Sequence, residues 1–213
     1  MTMRERPILF NAEMVRAVLD GRKSQTRRIL SPRQLKMIDS AAGIGECYPL
    51  ESGQYHENSQ SYYREWCPLG QSGDRLWVRE TCQAKELESG LDVVRYPADG
   101  AEIPVKAHPF DAGRWIDLYR YLGAEGALVP SIHMPRWASR ITLDITGVRV
   151  ERLASVSNDD AIAEGYPAGR AAEGGNSDSW LWFRDLWDSI YPEHSFKHNP
   201  WVWVIEFKRV EGE

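Results

Sequence analysis

The sequence predicts an α+β fold: a small β-barrel with short flanking helices and two irregular insertions. Three observations predict it. Short stretches of alternating apolar residues recur, as in Arg75–Glu80. Three short helical patterns, near 12–20, 157–165 and 180–190, interrupt them. In the long apolar stretch from Ile141, one face carries Ile141, Leu143 and Ile145, and after Gly147 the phase flips to Val148 and Val150. A phase change at a glycine predicts a β-bulge and a bent strand, as small barrels need. At 213 residues, a single domain spanning 1–213 is expected, with insertions at about 39–72 and 83–130.

The elements follow in order. Pro7 to Phe10 reads as a short strand, and Asn11 is placed to cap a helix. Met14, Val15, Val18 and Leu19 share helical spacing over Ala12 to Asp20, and Gly21 ends that helix. Thr26 to Leu30 is expected as a strand, broken at Ser31-Pro32. Residues 39–72 are rich in Gly, Ser, Tyr, Pro and Gln without periodicity, hence an irregular insertion. After the Ser72-Gly73-Asp74 turn, Leu76 and Val78 face one way and Arg75, Trp77 and Arg79 the other. Within 83–130, short strands are expected near Val93–Tyr96 and a helix near Trp115–Leu122. Ser157 with Asp160 forms a capping box that opens the next helix, which Glu164-Gly165 closes. A Gly/Ala/Ser-rich loop at 168–179 leads to a helix from Trp180 to Ile190, and the chain closes with the strand "WVWVIEFKRV".

Composition bounds the function. The chain is 42% hydrophobic and 27% charged, the profile of a soluble globular protein. No apolar stretch reaches the ~20 residues of a membrane span, and "MTMRERPILF" lacks a signal-peptide core. A cytoplasmic location is expected, without a membrane partner. Cys47, Cys67 and Cys82 are too few and too irregular for a disulfide framework. With no CxxC, they and His56 make no expected metal site, nor do His194 and His198. No P-loop or GxGxxG is present, so no cofactor is expected.

The net charge is -5, yet "GRKSQTRR" at 21–28 concentrates Arg22, Lys23, Arg27 and Arg28 around Ser24, Gln25 and Thr26. From Gly126 to Leu143 the chain again lacks acids and carries His133, Arg136 and Arg140. Two positive segments on an acidic body point to one focused anion site. The alternative is two solvated loops. Arg75, Trp77 and Arg79 on one strand face suit base stacking and phosphate contact, or an indole packed under an insertion.

Together, "GRKSQTRR" after a short helix, "GDRLWVRE", the capped helix at 157–165 and the terminal "WVWVIEFKRV" resemble the ASCH domain family of the PUA-like superfamily. The long form, with "CPLGQSGDRLWVRE" and "PSIHMPRWASRITL", resembles ASCH proteins of bacteriophages and prophages. The resemblance implies a small β-barrel with a cleft beside the first helix and RNA or a modified nucleoside as partner. The chain is also similar to the bacterial N(4)-acetylcytidine amidohydrolases, whose lysine and threonine in "GRKTxT" match Lys23 and Thr26, with Ser24 in place of the first threonine. Their glutamate matches Glu164, and their "IYP" and "VIEFK" match 190–192 and 204–208. Those enzymes are shorter and lack the tryptophan-rich surroundings.

The resemblance implies catalytic roles for Lys23, Thr26 and Glu164. Amide hydrolysis needs a nucleophile, a proton acceptor and charge stabilisation. Thr26 would attack or position water, Lys23 would accept a proton if neutral, and Glu164 would relay it. Glu164 beside Lys23 would instead favour the ammonium. Arg22, Ser24, Arg27 and Arg28 are expected to bind substrate or phosphate, with Trp77 or Trp137 stacking a base beside Arg79, Glu80, His133 and Arg140. Glu80 has an alternative role as an ion-pair partner of Arg140 or Arg28. Two other functions stand beside the hydrolase: a non-catalytic RNA-binding module, and a ribonuclease using His133 as acid and base.

Overall fold

The described residues of the computed structural model, 3–105, 109–175 and 177–210, form two sheets, not a closed barrel. The first sheet carries the elements the sequence marks most clearly. Its strands are β1 (Glu5–Leu9), β2 (Gln25–Ile29), β3 (Arg75–Arg79), a long strand at Thr142–Arg152 and a last strand at Trp201–Arg209. Between β3 and the long strand come β4 (Cys82–Glu86), β5 (Asp92–Tyr96), β6 (Ala101–Pro104) and β7 (Leu128–Val129), so the long strand is β8 and the last β9. The first sheet runs β1-β3-β8-β9-β2, and the second β6-β5-β4-β7.

The helices are α1 (Ala12–Leu19), α2 (Pro32–Gly43), α3 (Gln60–Tyr63), α4 (Pro109–Tyr119), α5 (Asn158–Ala163), α6 (Ala168–Ala171) and α7 (Asp178–Ile190). Asn11 caps α1 by accepting from the Met14 amide at 2.9 Å. Ser157 and Asp160 make the expected reciprocal box on α5, at 3.0 Å in each direction.

The bulge falls where the phase flips. Ile145 pairs with Phe207 and Gly147 with Glu206, leaving Thr146 as the extra residue. Leu143, Ile145, Val148 and Val150 therefore all reach the core. The expected barrel does not close among the described residues, because its two edges meet through side chains rather than a ladder. Arg28 on β2 donates to the Leu9 carbonyl of β1 at 3.1 Å. The Phe10 ring beside that gap lies under both Arg28 and Lys23, at 5.7 and 5.5 Å.

The insertions are more regular than composition predicts. Ser31-Pro32 ends β2 but also starts α2, through a capping box with Gln34. This helix extends into the region expected to be irregular, and short helical turns fill 53–66. Residues 83–130 supply most of the second sheet and α4, although 106–108 lie outside the described residues, as does 176 within the expected loop at 168–179. That sheet has its own core of Cys82, Ala84, Val94, Tyr96, Trp115 and Val129. Ion pairs join the two sheets. Arg140 holds Glu80 at 2.8 and 2.9 Å and Asp99 at 2.8 and 2.9 Å, over the Tyr96 ring.

Candidate functional site

The cationic stretch turns inward. After α1, the Lys23 amide donates to Ala17 O and the Ser24 amide to Ala163 O, both at 2.9 Å, so the segment is stitched to the end of α5. Lys23 pairs with Glu164 as an isolated antiparallel bridge. Lys23, Gln25, Thr26 and Arg27 are all buried, and Ser24 alone among residues 23–27 is exposed.

Lys23 Nζ has three acceptors: Gln25 O at 2.8 Å, Glu164 O at 2.9 Å and Glu164 Oε2 at 2.8 Å. Burial lowers the lysine's pKa from its ordinary value, while Glu164 opposes that shift. An ammonium at Nζ donates one hydrogen bond to each of these acceptors.

Arg27 holds the other carboxylate oxygen, Glu164 Oε1, at 3.1 Å. Its Nη2 lies 3.3 Å from Asp160 and 3.6 Å from Glu151. The positive charge of the stretch is thus matched from within by carboxylates of α5 and β8. Arg28 points the other way and donates to Thr26 Oγ1 at 2.7 Å. Arg22 reaches outward to Gly165 O at 3.0 Å, Tyr166 O at 3.2 Å and Asp20 at 2.9 Å.

Glu164 separates two spaces. On one side is a crevice of only about 20 Å³, where Thr26 and Arg28 face Phe183, Leu186 and Trp187 of α7. A space of that size holds about one water molecule. On the other side is a cavity of about 330 Å³ between α1 and α7, lined by Met14, Arg16, Arg22, Glu164, Arg170 and Trp182 among others.

Of the expected catalytic residues, Lys23 and Glu164 are in direct contact, and Thr26 meets Glu164 only across the narrow crevice. The expected phosphate contact at Arg27 is corrected: its side chain has no exposure and is enclosed by carboxylates. Glu80 takes the ion-pair role with Arg140, and its 2% exposure removes it from ligand reach. Trp77, Arg79, His133 and Trp137 lie apart from this cavity. Trp77 has the Arg79 and Arg136 guanidinium groups at 5.1 and 5.9 Å from its ring, and Trp137 packs against the second core. His133 is exposed, with its ring 5.7 Å from that of Tyr121.

Sequence reasoning missed Met14, Arg16, Arg170 and Trp182. A signal for Arg16 existed: it lies on the exposed face of α1, whose other face is apolar. Trp182 reads in sequence as one more indole in a hydrophobic helix.

No family model matches the chain, and no curated protein matches it. Among solved structures, it is similar to a DUF984 protein of Enterococcus faecalis V583, with 12% identity, a TM-score of 0.40, and coverage of 99% of this chain and 78% of the other. It is also similar to an ASCH domain of Lactobacillus crispatus JV V101, with 12% identity, a TM-score of 0.34, and coverage of 97% and 79%.

Proposed function

We propose that this chain is an ASCH-type protein that binds a nucleoside in the cavity between α1 and α7. One observation carries the reading. Glu164, with each carboxylate oxygen fixed by a buried cation, forms a wall of a space of about 330 Å³ that also holds Trp182. A nucleobase fits that volume, with the indole supporting its flat face. A carboxylate held this firmly is an acceptor for an exocyclic amine, the group by which cytosine is read.

The rim favours a nucleoside over a polyanion at this point. Arg16 is bonded to Ala98 O, Arg22 to Asp20 and two carbonyls, and Arg170 to Asp178. These cations are already engaged, so the cavity reads a base more readily than it gathers phosphates.

A hydrolytic reading of the same site rests on the 2.8 Å contact between Lys23 Nζ and Glu164 Oε2. In it, water adds to the acyl carbon of an N(4)-acylated cytidine and gives its proton to Glu164, and the C–N bond breaks as Glu164 passes that proton to the leaving amine, releasing the carboxylic acid and cytidine. Thr26, enclosed behind Glu164, would serve that reaction only after α7 moved aside. The test is a screen of cytidine, N(4)-acylated cytidines and other modified nucleosides, using calorimetry for binding and mass spectrometry for products. Binding that Glu164→Gln weakens at least tenfold, in protein that still melts cooperatively, supports the cavity. Turnover that Lys23→Met abolishes while cytidine binding is retained adds the hydrolase. No nucleoside binding removes both.

A further inference from the structure

We infer that a second, separate surface takes the flanking nucleotides of a single-stranded oligonucleotide: the line of Leu122, Tyr121, His133, Arg79, Trp77 and Arg136. This deepens the nucleoside reading and rests on it only for what fills the cavity.

The line is continuous. The Tyr121 and His133 rings lie 5.7 Å apart. Met134, next to His133, accepts from Arg79 Nε through its carbonyl at 3.1 Å. Arg79 and Arg136 then flank the Trp77 ring at 5.1 and 5.9 Å. Arg79 has no ion pair among the described residues, whereas Arg136 is held by Glu5 at 3.0 and 3.2 Å. The segment 126–143 that supplies His133 and Arg136 contains no acid. Alternating rings and guanidinium planes suit bases, and the arginine without a carboxylate partner suits a phosphate.

Leu122 supplies an independent observation. It is a bulky residue at φ +51°, in the left-handed region that disfavours such side chains, and it is 87% exposed. Burial does not offset that strain. An apolar side chain held outward beside an aromatic pair can pack against an unstacked base.

The surface also leads towards the cavity. The Phe10 amide bonds to Arg79 O at 3.1 Å, and the next residue, Asn11, lies on the cavity wall.

The test uses the full chain with fluorescein-labelled ribo- and deoxyribo-oligonucleotides of about eight nucleotides, read by anisotropy, and with free cytidine, read by calorimetry. Trp77→Ala and Leu122→Gly should each weaken strand binding about 5- to 50-fold. Arg79→Gln should flatten its salt dependence by about one phosphate. All three should leave cytidine binding unchanged. Leu122→Gly should keep or raise Tm, which separates lost contact from lost folding. If cytidine fails to bind but the strand binds with this dependence, the cavity reading falls and the surface stands. Absent strand binding, or strand affinity equal in all variants, overturns the surface.

Discussion

Lys23 and Glu164 form a 2.8 Å ion pair with side chains only 0% and 5% exposed, across the junction between the first cationic stretch and the end of α5. An ion pair this deep is a weak source of net stability, but it is costly to break from one side. Lys23→Met leaves Glu164 with Arg27 alone, and a loss of about 3–5 kcal/mol is expected. Glu164→Gln keeps an acceptor near Nζ but leaves two buried cations with less charge compensation. Because both Lys23 and Arg27 depend on it, its loss should be at least as large. Urea denaturation of each variant and of the double variant gives the coupling. Additive losses would show that the two groups do not act as a pair.

Asp160 gives a pH dependence with a defined sign. Burial acts to raise its pKa, but hydrogen bonds from Ser157 and Gln25 and the charge of Arg27 outweigh that and hold it well below the usual aspartate range. A carboxyl with a depressed folded pKa adds stability above its unfolded pKa and loses it as pH falls through the folded value. Wild type should therefore exceed Asp160→Asn in stability by a constant margin near neutral pH. The margin should shrink below about pH 4. A margin independent of pH down to 2 would mean the ionised carboxylate is not what matters.

Much of this arrangement is legible in the sequence, for physical reasons that differ by element. Helix caps at Asn11 and Ser157 are local chemistry and appear where the residues place them. The bulge at Gly147 is legible because side-chain alternation has a strict period of two. The pairing of Lys23 with Glu164 is 141 residues apart, and only resemblance to a family suggested it. Barrel closure was not legible, since whether two strand edges bond by backbone or by Arg28 depends on tertiary spacing. The crevice walled by Phe183 and Trp187 was equally hidden: an amphipathic pattern shows that α7 is buried on one face, not which site it covers.

The junction of the two sheets should depend on Arg140. Glu80 is 2% exposed, and its carboxylate is matched by that guanidinium at 2.8 Å. Arg140→Met strands a buried charge, with an expected cost of about 3–5 kcal/mol. Asp99 is more exposed, at 29% of its side chain, so Asp99→Asn should cost only about 1 kcal/mol. Hydrogen exchange should show the second sheet, β4 and β5 above all, losing protection first in Arg140→Met. Uniform loss across both sheets would argue against a local clamp.

Gly165 tests whether the backbone beside the site tolerates a side chain. It follows Glu164 at φ +106°, a conformation open to glycine and strained for other residues. A Cβ built there would lie 2.9 Å from the Ala17 Cβ and 3.3 Å from the Lys23 Cβ. Both neighbours sit on packed elements, so Gly165→Ala must either push α1 away or shift the turn that carries Lys23. A loss of about 1–3 kcal/mol is expected. Weaker nucleoside binding should accompany it, because Glu164 and Gly165 both line the cavity. Gly169 in α6 is the control. Its added Cβ meets nothing within 4 Å, and Gly169→Ala should be neutral or stabilise by up to about 1 kcal/mol. If the two substitutions behave alike in calorimetry and in thermal melting, close packing of Gly165 against Lys23 does not shape the site.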